Sequence, residues 1–269
     1  MIDSIIYMTD MSNYELILNP HSIFLFIITI LLVYKVWCFF SSKTIKNNYS
    51  NTILKATKNS KGYEDDTVIS SVFKEWWTYV ISPIEDSLVR SKISPNFLTV
   101  MSFSISFLTA YLFSNGLIFL ASLVLLAGSS FDILDGRVAR INSQQSKKGA
   151  FLDSCLDRFS EIIVMFGLLI FYYSSYFVYM IFLATVFSLT VSYVKSAAEN
   201  HGFKTNIGIM QRPERVVCLG LGGLISSAFE YYNIQFFGME HLIFILTIVF
   251  ITVLSLYATI QRLNLALKH

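Results

Sequence analysis

Two pairs of aspartates have spacings that suit metal chemistry. Asp132 and Asp135 are three residues apart, and Asp153 and Asp157 are four apart, so each pair shares one face of a helix. Both pairs stand at the ends of apolar segments joined by a short basic connection, which predicts antiparallel neighbouring helices. Four converging carboxylates repel one another unless cations neutralise them. The pattern therefore predicts hard divalent cations with oxygen ligands, Mg²⁺ or Mn²⁺.

The residues around the aspartates favour a phosphate-bearing ligand. Gly136 and Ala139 share the face of the first aspartate pair, and their small size lets a ligand approach the backbone. Arg140 continues this face and suits bidentate contact with phosphate, while Gly149 keeps the entrance to the next helix open. Together they predict a metal-nucleotide site. The alternative is a set of surface carboxylates or a structural ion-pair network, which the position of both pairs at span ends disfavours.

A second group of cations ends other apolar segments on the same side. Lys195 ends one predicted span, Arg215 begins another and Arg262 ends a third. Three cations beside a metal-nucleotide site suit an acceptor that carries its own phosphate. The alternative is that they set the membrane topology or contact lipid headgroups.

The composition is that of a membrane protein. Of the 269 residues, 54% are hydrophobic and 14% charged, against about 25% charged in a soluble domain. Mean hydropathy is +0.59. The net charge of +2 gives no argument for nucleic acid as a partner. The three cysteines have no metal-ligand spacing, and no cleavable signal peptide is evident.

The apolar segments predict an all-α integral membrane protein with seven spans. The spans are 22–40, 97–113, 117–134, 150–173, 177–194, a sixth whose first part is 215–229, and 241–260. We divide the chain into an N-terminal extension (1–67, one span and a polar linker), an amphipathic interfacial helix (68–93) and a six-helix transmembrane core (94–269). Alternate connections carry Lys and Arg, so the positive-inside rule places the aspartates on the cytoplasmic side and the N-terminus outside.

The aspartate motif is similar to the signature of a known family. Asp132-x2-Asp135-Gly136-x2-Ala139-Arg140-x8-Gly149-x3-Asp153-x3-Asp157 resembles the CDP-alcohol phosphotransferase signature at all eight fixed positions, and Ser94–Thr99 resembles the segment that opens the family's first core helix. The resemblance implies six transmembrane helices, a homodimer and two divalent ions, and we expect the protein in a bacterial-type inner membrane. It makes Asp132, Asp135 and Asp153 metal ligands, and Asp157 the general base that also contacts metal. It implies a CDP site lined by Asn96, Thr99, Gly136, Ala139, Arg140 and Gly149.

The acceptor is indicated by three further segments. Tyr193-Val194-Lys195, Arg212-Pro213-Glu214-Arg215 and Gln261-Arg262 resemble the phosphatidylinositol-phosphate synthase branch. That resemblance implies CDP-diacylglycerol as donor, and Lys195, Arg212, Arg215 and Arg262 around the phosphate of inositol 1-phosphate. Glycerol 3-phosphate or an unphosphorylated alcohol (inositol, serine, choline) stays open as acceptor. A divalent-cation transporter is the alternative of another class, and is disfavoured because the acids cluster at one end of the spans.

Overall fold

A computed structural model describes residues 93–203, 210–232 and 241–267, and the regular structure in these ranges is entirely α-helical. The helices are α1 (Pro95–Ser114), α2 (Ile118–Ile141), α3 (Lys147–Phe171), α4 (Phe177–Asn200), α5 (Arg212–Tyr231) and α6 (Leu242–Leu267). They correspond to the six predicted core segments. The predicted N-terminal extension (1–67) and nearly all of the predicted amphipathic helix (68–93) lie outside the described residues.

Local sequence signals fix where three of the helices begin. Pro95 opens α1 directly after the extended Ser94, a position where the missing N–H of proline is harmless. The Ser146 side chain accepts from the Gly149 N–H at 3.0 Å and caps α3. At α5, Gln211 and Glu214 form a reciprocal capping box. These caps determine where the side chains of the first turns point.

Small residues allow the helices to pack closely. A side chain at Gly167 of α3 would place its Cβ 2.4 Å from the carbonyl oxygen of Ala110 in α1. Likewise, a Cβ at Gly223 of α5 would lie 2.0 Å from Ser122 Oγ of α2. The most extensive contacts are those of α1 with α2 and α3, of α4 with α6, and of α5 with α2 and α6. This close packing holds the polar ends of the helices in fixed register.

Four of the described helices, α1, α2, α4 and α6, are long and apolar enough to cross a membrane. Large apolar side chains such as Phe107 and Phe182 are more than half exposed on this bundle, as lipid-facing residues would be. Helices α3 and α5 carry the buried charged residues Glu161 and Arg215, respectively. The chain is thus an integral membrane protein, and the regular structure of its described residues is all helical.

Candidate active site

Three carboxylates from two helices meet at one end of the bundle, which we call the carboxylate end. Asp132 and Asp135 near the end of α2 and Asp153 near the start of α3 each offer an oxygen, and these oxygens lie within 4.8 Å of one another. Asp135 is buried, and it accepts a hydrogen bond from Thr99 of α1. The short connection between α2 and α3 creates this convergence, as the spacing of the aspartates predicts.

The fourth aspartate is joined to the others by an arginine. Arg212, the first residue of α5, places Nη1 2.7 Å from Oδ1 of Asp157, and the same nitrogen donates to Oδ2 of Asp132. The family resemblance implies a different partner for Arg212, the phosphate of the acceptor. In this structure its guanidinium bridges carboxylates of α2 and α3 instead.

The donor set fits a divalent cation. Carboxylate oxygens are the ligands that Mg²⁺ and Mn²⁺ prefer, and three side chains already converge on one point. The bridging guanidinium shows independently that the carboxylates attract a cation to this place. Asp132, Asp135 and Asp153 could therefore hold a metal ion, with Asp157 beside them.

The small residues predicted for the nucleotide site differ in how much space surrounds them. A Cβ at Gly136 would meet only Arg140 among the described residues, with the guanidinium nitrogens 3.8 Å away. Arg140 itself is exposed.

Gly149 has less space around it, because a Cβ there would lie 3.0 Å from Ser146 Oγ and 3.1 Å from Asn96 Oδ1. Asn96 of α1 therefore adjoins Gly149 of α3, beside the aspartates, whereas Thr99 is engaged with Asp135. Ala139, on the same helix, is half-buried.

Two of the cations predicted for the acceptor differ sharply in their surroundings. Arg262 of α6 is 2% exposed, donates from Nη1 to the carbonyl of Val191 at 2.8 Å, and has no partner for Nε among the described residues. Lys195 of α4 is partly exposed and lies 3.8 Å from Glu199. Arg262 is thus a buried cation with unused hydrogen-bonding capacity.

Arg215 has a partner that the sequence reasoning missed. Its Nε and Nη2 donate to the two carboxylate oxygens of Glu161 in α3 at 2.7 and 2.8 Å, and Nη1 donates to the carbonyl of Met210 at 2.8 Å. Glu161 follows Asp157 by four residues and interrupts an apolar segment, a signal that could have identified it. Glu214, between the two arginines, accepts from the Gln211 N–H and caps α5.

The sequence matches the CDP-alcohol phosphatidyltransferase family over residues 92–260. An archaetidylinositol phosphate synthase of Pyrococcus horikoshii is 36% identical over 145 residues, covering 54% of this chain and 76% of the relative. A phosphatidylinositol phosphate synthase of Mycobacteroides abscessus is 29% identical over 161 residues, covering 58% and 73%. The chain therefore belongs to the CDP-alcohol phosphatidyltransferase family, and it is a membrane transferase of phospholipid synthesis.

Solved structures agree in fold. The crystal structure of Mycobacterium tuberculosis phosphatidylinositol phosphate synthase with CDP-DAG bound matches with a TM-score of 0.59 and 27% identity, over 70% of this chain and 93% of that chain. The same enzyme in complex with manganese and citrate matches with a TM-score of 0.59 and 28% identity, over 69% and 88%.

Proposed function

We propose that this enzyme transfers the phosphatidyl group of CDP-diacylglycerol, or a similar CDP-linked lipid, to inositol 1-phosphate and releases CMP. The observation that carries the choice of a phosphorylated acceptor is the buried positive charge next to the carboxylate end. Arg262 and Arg215 are both 2% exposed. Of these two arginines, only Arg215 has a direct carboxylate partner among the described residues. A buried cation without a counter-charge is costly. An anionic acceptor would supply that charge.

The carboxylates would hold two divalent cations, Mg²⁺ or Mn²⁺, through Asp132, Asp135, Asp153 and Asp157. Bound there, the cations would polarise the pyrophosphate of the donor and neutralise the charge on departing CMP. Support comes from the three converging carboxylates and from the manganese complex of the M. tuberculosis relative. Around them, Asn96, Thr99, Gly136, Ala139, Arg140 and Gly149 would receive the CDP group, with Arg140 on phosphate and the two glycines giving access.

Asp157 would act as the general base. Its carboxylate accepts the proton of the acceptor hydroxyl, and the freed oxygen attacks the β-phosphorus of the donor. The new phosphorus–oxygen bond forms as the bond to the CMP oxygen breaks, and CMP leaves with that electron pair. No covalent enzyme intermediate is required. Lys195, Arg212, Arg215 and Arg262 would orient the acceptor through its own phosphate.

The membrane arrangement extends this proposal. We place all six helices across the membrane with the carboxylate end facing the cytoplasm, where CDP-linked donors and phosphorylated alcohols meet. The distribution of Lys and Arg between alternate connections supports this orientation. A homodimer is part of the same proposal and derives from the family resemblance.

An activity assay in detergent or vesicles tests the function. CDP-diacylglycerol and Mn²⁺ or Mg²⁺ are supplied with inositol 1-phosphate, glycerol 3-phosphate, inositol, serine or choline, and CMP release is measured. We expect release with inositol 1-phosphate, abolished in Asp157→Asn, and a raised KM for that acceptor in Arg262→Gln. Release with a different alcohol alone would refute the acceptor, and no metal-dependent release with any of them would refute the donor.

A further inference from the structure

Arg212 occupies an unusual place for a residue expected to bind substrate. Its Nη1 contacts both Asp132 and Asp157, so a single nitrogen serves carboxylates from two helices. Asp132 is also one of the three carboxylates that converge as a candidate metal site. The guanidinium therefore sits on oxygens that a divalent cation would use.

The hydrogen bonds of Arg212 are incomplete. Its Nε is buried and has no partner among the described residues. Arg215, one turn later on the same helix, donates from Nε, Nη1 and Nη2. A guanidinium carries five N–H donors in a rigid fork, and one that is fully engaged is held more firmly than one bound through a single nitrogen. Arg212 is thus the less firmly held of the two.

There is also space beside Arg212. A cavity of about 40 Å³ lies between α1, α2, α3 and α5, and both Arg212 and Arg215 line it together with Glu161 and the hydroxyl groups of Ser102 and Ser160. A cavity of this size holds a water molecule or a few. The side chain of Arg212 therefore borders open space as well as the carboxylates.

We propose that Arg212 is the internal counter-cation of the metal-free enzyme, and that divalent metal displaces it from Asp132 and Asp157. The displaced guanidinium is then free for the phosphate of the acceptor, a second role that rests on the proposed function. Two cations that compete for the same oxygens are linked, so each weakens the binding of the other to the same degree. Metal binding and capture of the acceptor phosphate by Arg212 therefore favour each other.

Metal binding without substrates tests the competition. Mn²⁺ affinity is measured by electron paramagnetic resonance of free Mn²⁺ on the purified full-length protein, for the wild type, Arg212→Gln and Arg158→Gln. Arg158 neighbours Asp157 in sequence but donates to the carbonyl of Ser154, so its variant controls for the loss of one nearby charge. We expect Arg212→Gln to bind Mn²⁺ about tenfold tighter and Arg158→Gln to change the affinity much less. Weaker or unchanged binding in Arg212→Gln, or equal tightening in both variants, would overturn the proposal.

Thermal unfolding gives a second measurement. Without its counter-cation, metal-free Arg212→Gln should unfold at a lower temperature than the wild type, and added Mn²⁺ should raise that temperature by more than it does in the wild type. An equal or smaller rise refutes the competition. If Arg212→Gln does not fold, Arg212→Met takes its place, with tightening in the same direction because its side chain likewise carries no positive charge. The proposed function fails separately, if inositol 1-phosphate supports no CMP release in the wild type.

Discussion

The two ends of the helix bundle differ in what their polar groups do. At the carboxylate end, side chains of α2, α3 and α5 form a connected set in which Arg212 bridges Asp132 and Asp157. At the opposite end, which we call the far end, the described ion pair is Glu230 with His241 at 2.5 Å, supported by a hydrogen bond from Ser226. The far-end pair joins α5 to α6, the next helix along the chain. The carboxylate end instead collects charges from distant parts of the chain and leaves some of their hydrogen-bonding capacity unused.

This difference separates charges for function from charges for structure. The far-end pair has its partners within its own neighbourhood, and among the described residues no group of acids converges there. The carboxylate end has converging acids, open space beside Gly136 and a buried arginine whose Nε has no partner among the described residues. Polar groups whose charge or hydrogen-bonding capacity is not fully matched within the protein are those that a ligand can engage.

The largest expected effect is on catalysis. Asp135→Asn should lower the rate of CMP release on the order of 10³-fold, because loss of one ligand removes several kcal/mol of metal-dependent stabilisation of the transition state. Glu230→Gln, the matched change at the far end, should retain most of the activity. Initial rates at saturating metal and donor provide the measurement, and comparable losses in the two variants would contradict the functional division between the ends.

A smaller effect is expected on stability within the carboxylate end. Glu161→Gln should lower the free energy of unfolding by about 3 kcal/mol, because it leaves the buried Arg215 without its counter-charge. Glu161→Met combined with Arg215→Met removes both charges and should cost less than the single change. Unfolding in detergent with increasing denaturant compares the variants. A double variant as unstable as Glu161→Gln would show that the charge left behind is not the cause.

The smallest effect is expected at the far end. His241→Gln should lower the free energy of unfolding by about 1 kcal/mol or less, since the pair is partly exposed and its partner Glu230 keeps Ser226. Activity should stay at the level of the wild type. Thermal unfolding and CMP release on the same preparation test both statements, and a large loss of activity would mean that the far end takes part in catalysis.

The helices were predictable from the apolar segments, but the apolar segments are shorter than the helices. The segment 117–134 predicts a span, whereas α2 continues to Ile141 through a polar stretch that contains Asp135 and Arg140. Similarly, α4 runs to Asn200 although its apolar segment ends at 194. Hydrophobicity reports the part of a helix that lipid or protein surrounds, and the backbone hydrogen bonds continue beyond it.

In the candidate active site, too, one part could be predicted from the sequence and another part could not. Convergence of Asp132, Asp135 and Asp153 follows from helical spacing and one short connection, both of which are local. The contact of Arg212 with Asp132 spans 80 positions, and that of Arg215 with Glu161 spans 54. Such pairings depend on how α5 packs, and the sequence offered several carboxylates for each arginine. Local geometry could be derived from spacing, whereas the choice of long-range partners required the fold.

The order of the helices along the chain has a consequence for biosynthesis. Helices α2 and α3 carry all four aspartates and leave the ribosome before α5, which brings Arg212. Roughly 55 residues separate Asp157 from Arg212, and translation at about 5–20 residues per second takes several seconds to cover them. During that interval the newly made acidic hairpin lacks its arginine, so a divalent cation can reach the nascent chain before its competitor exists.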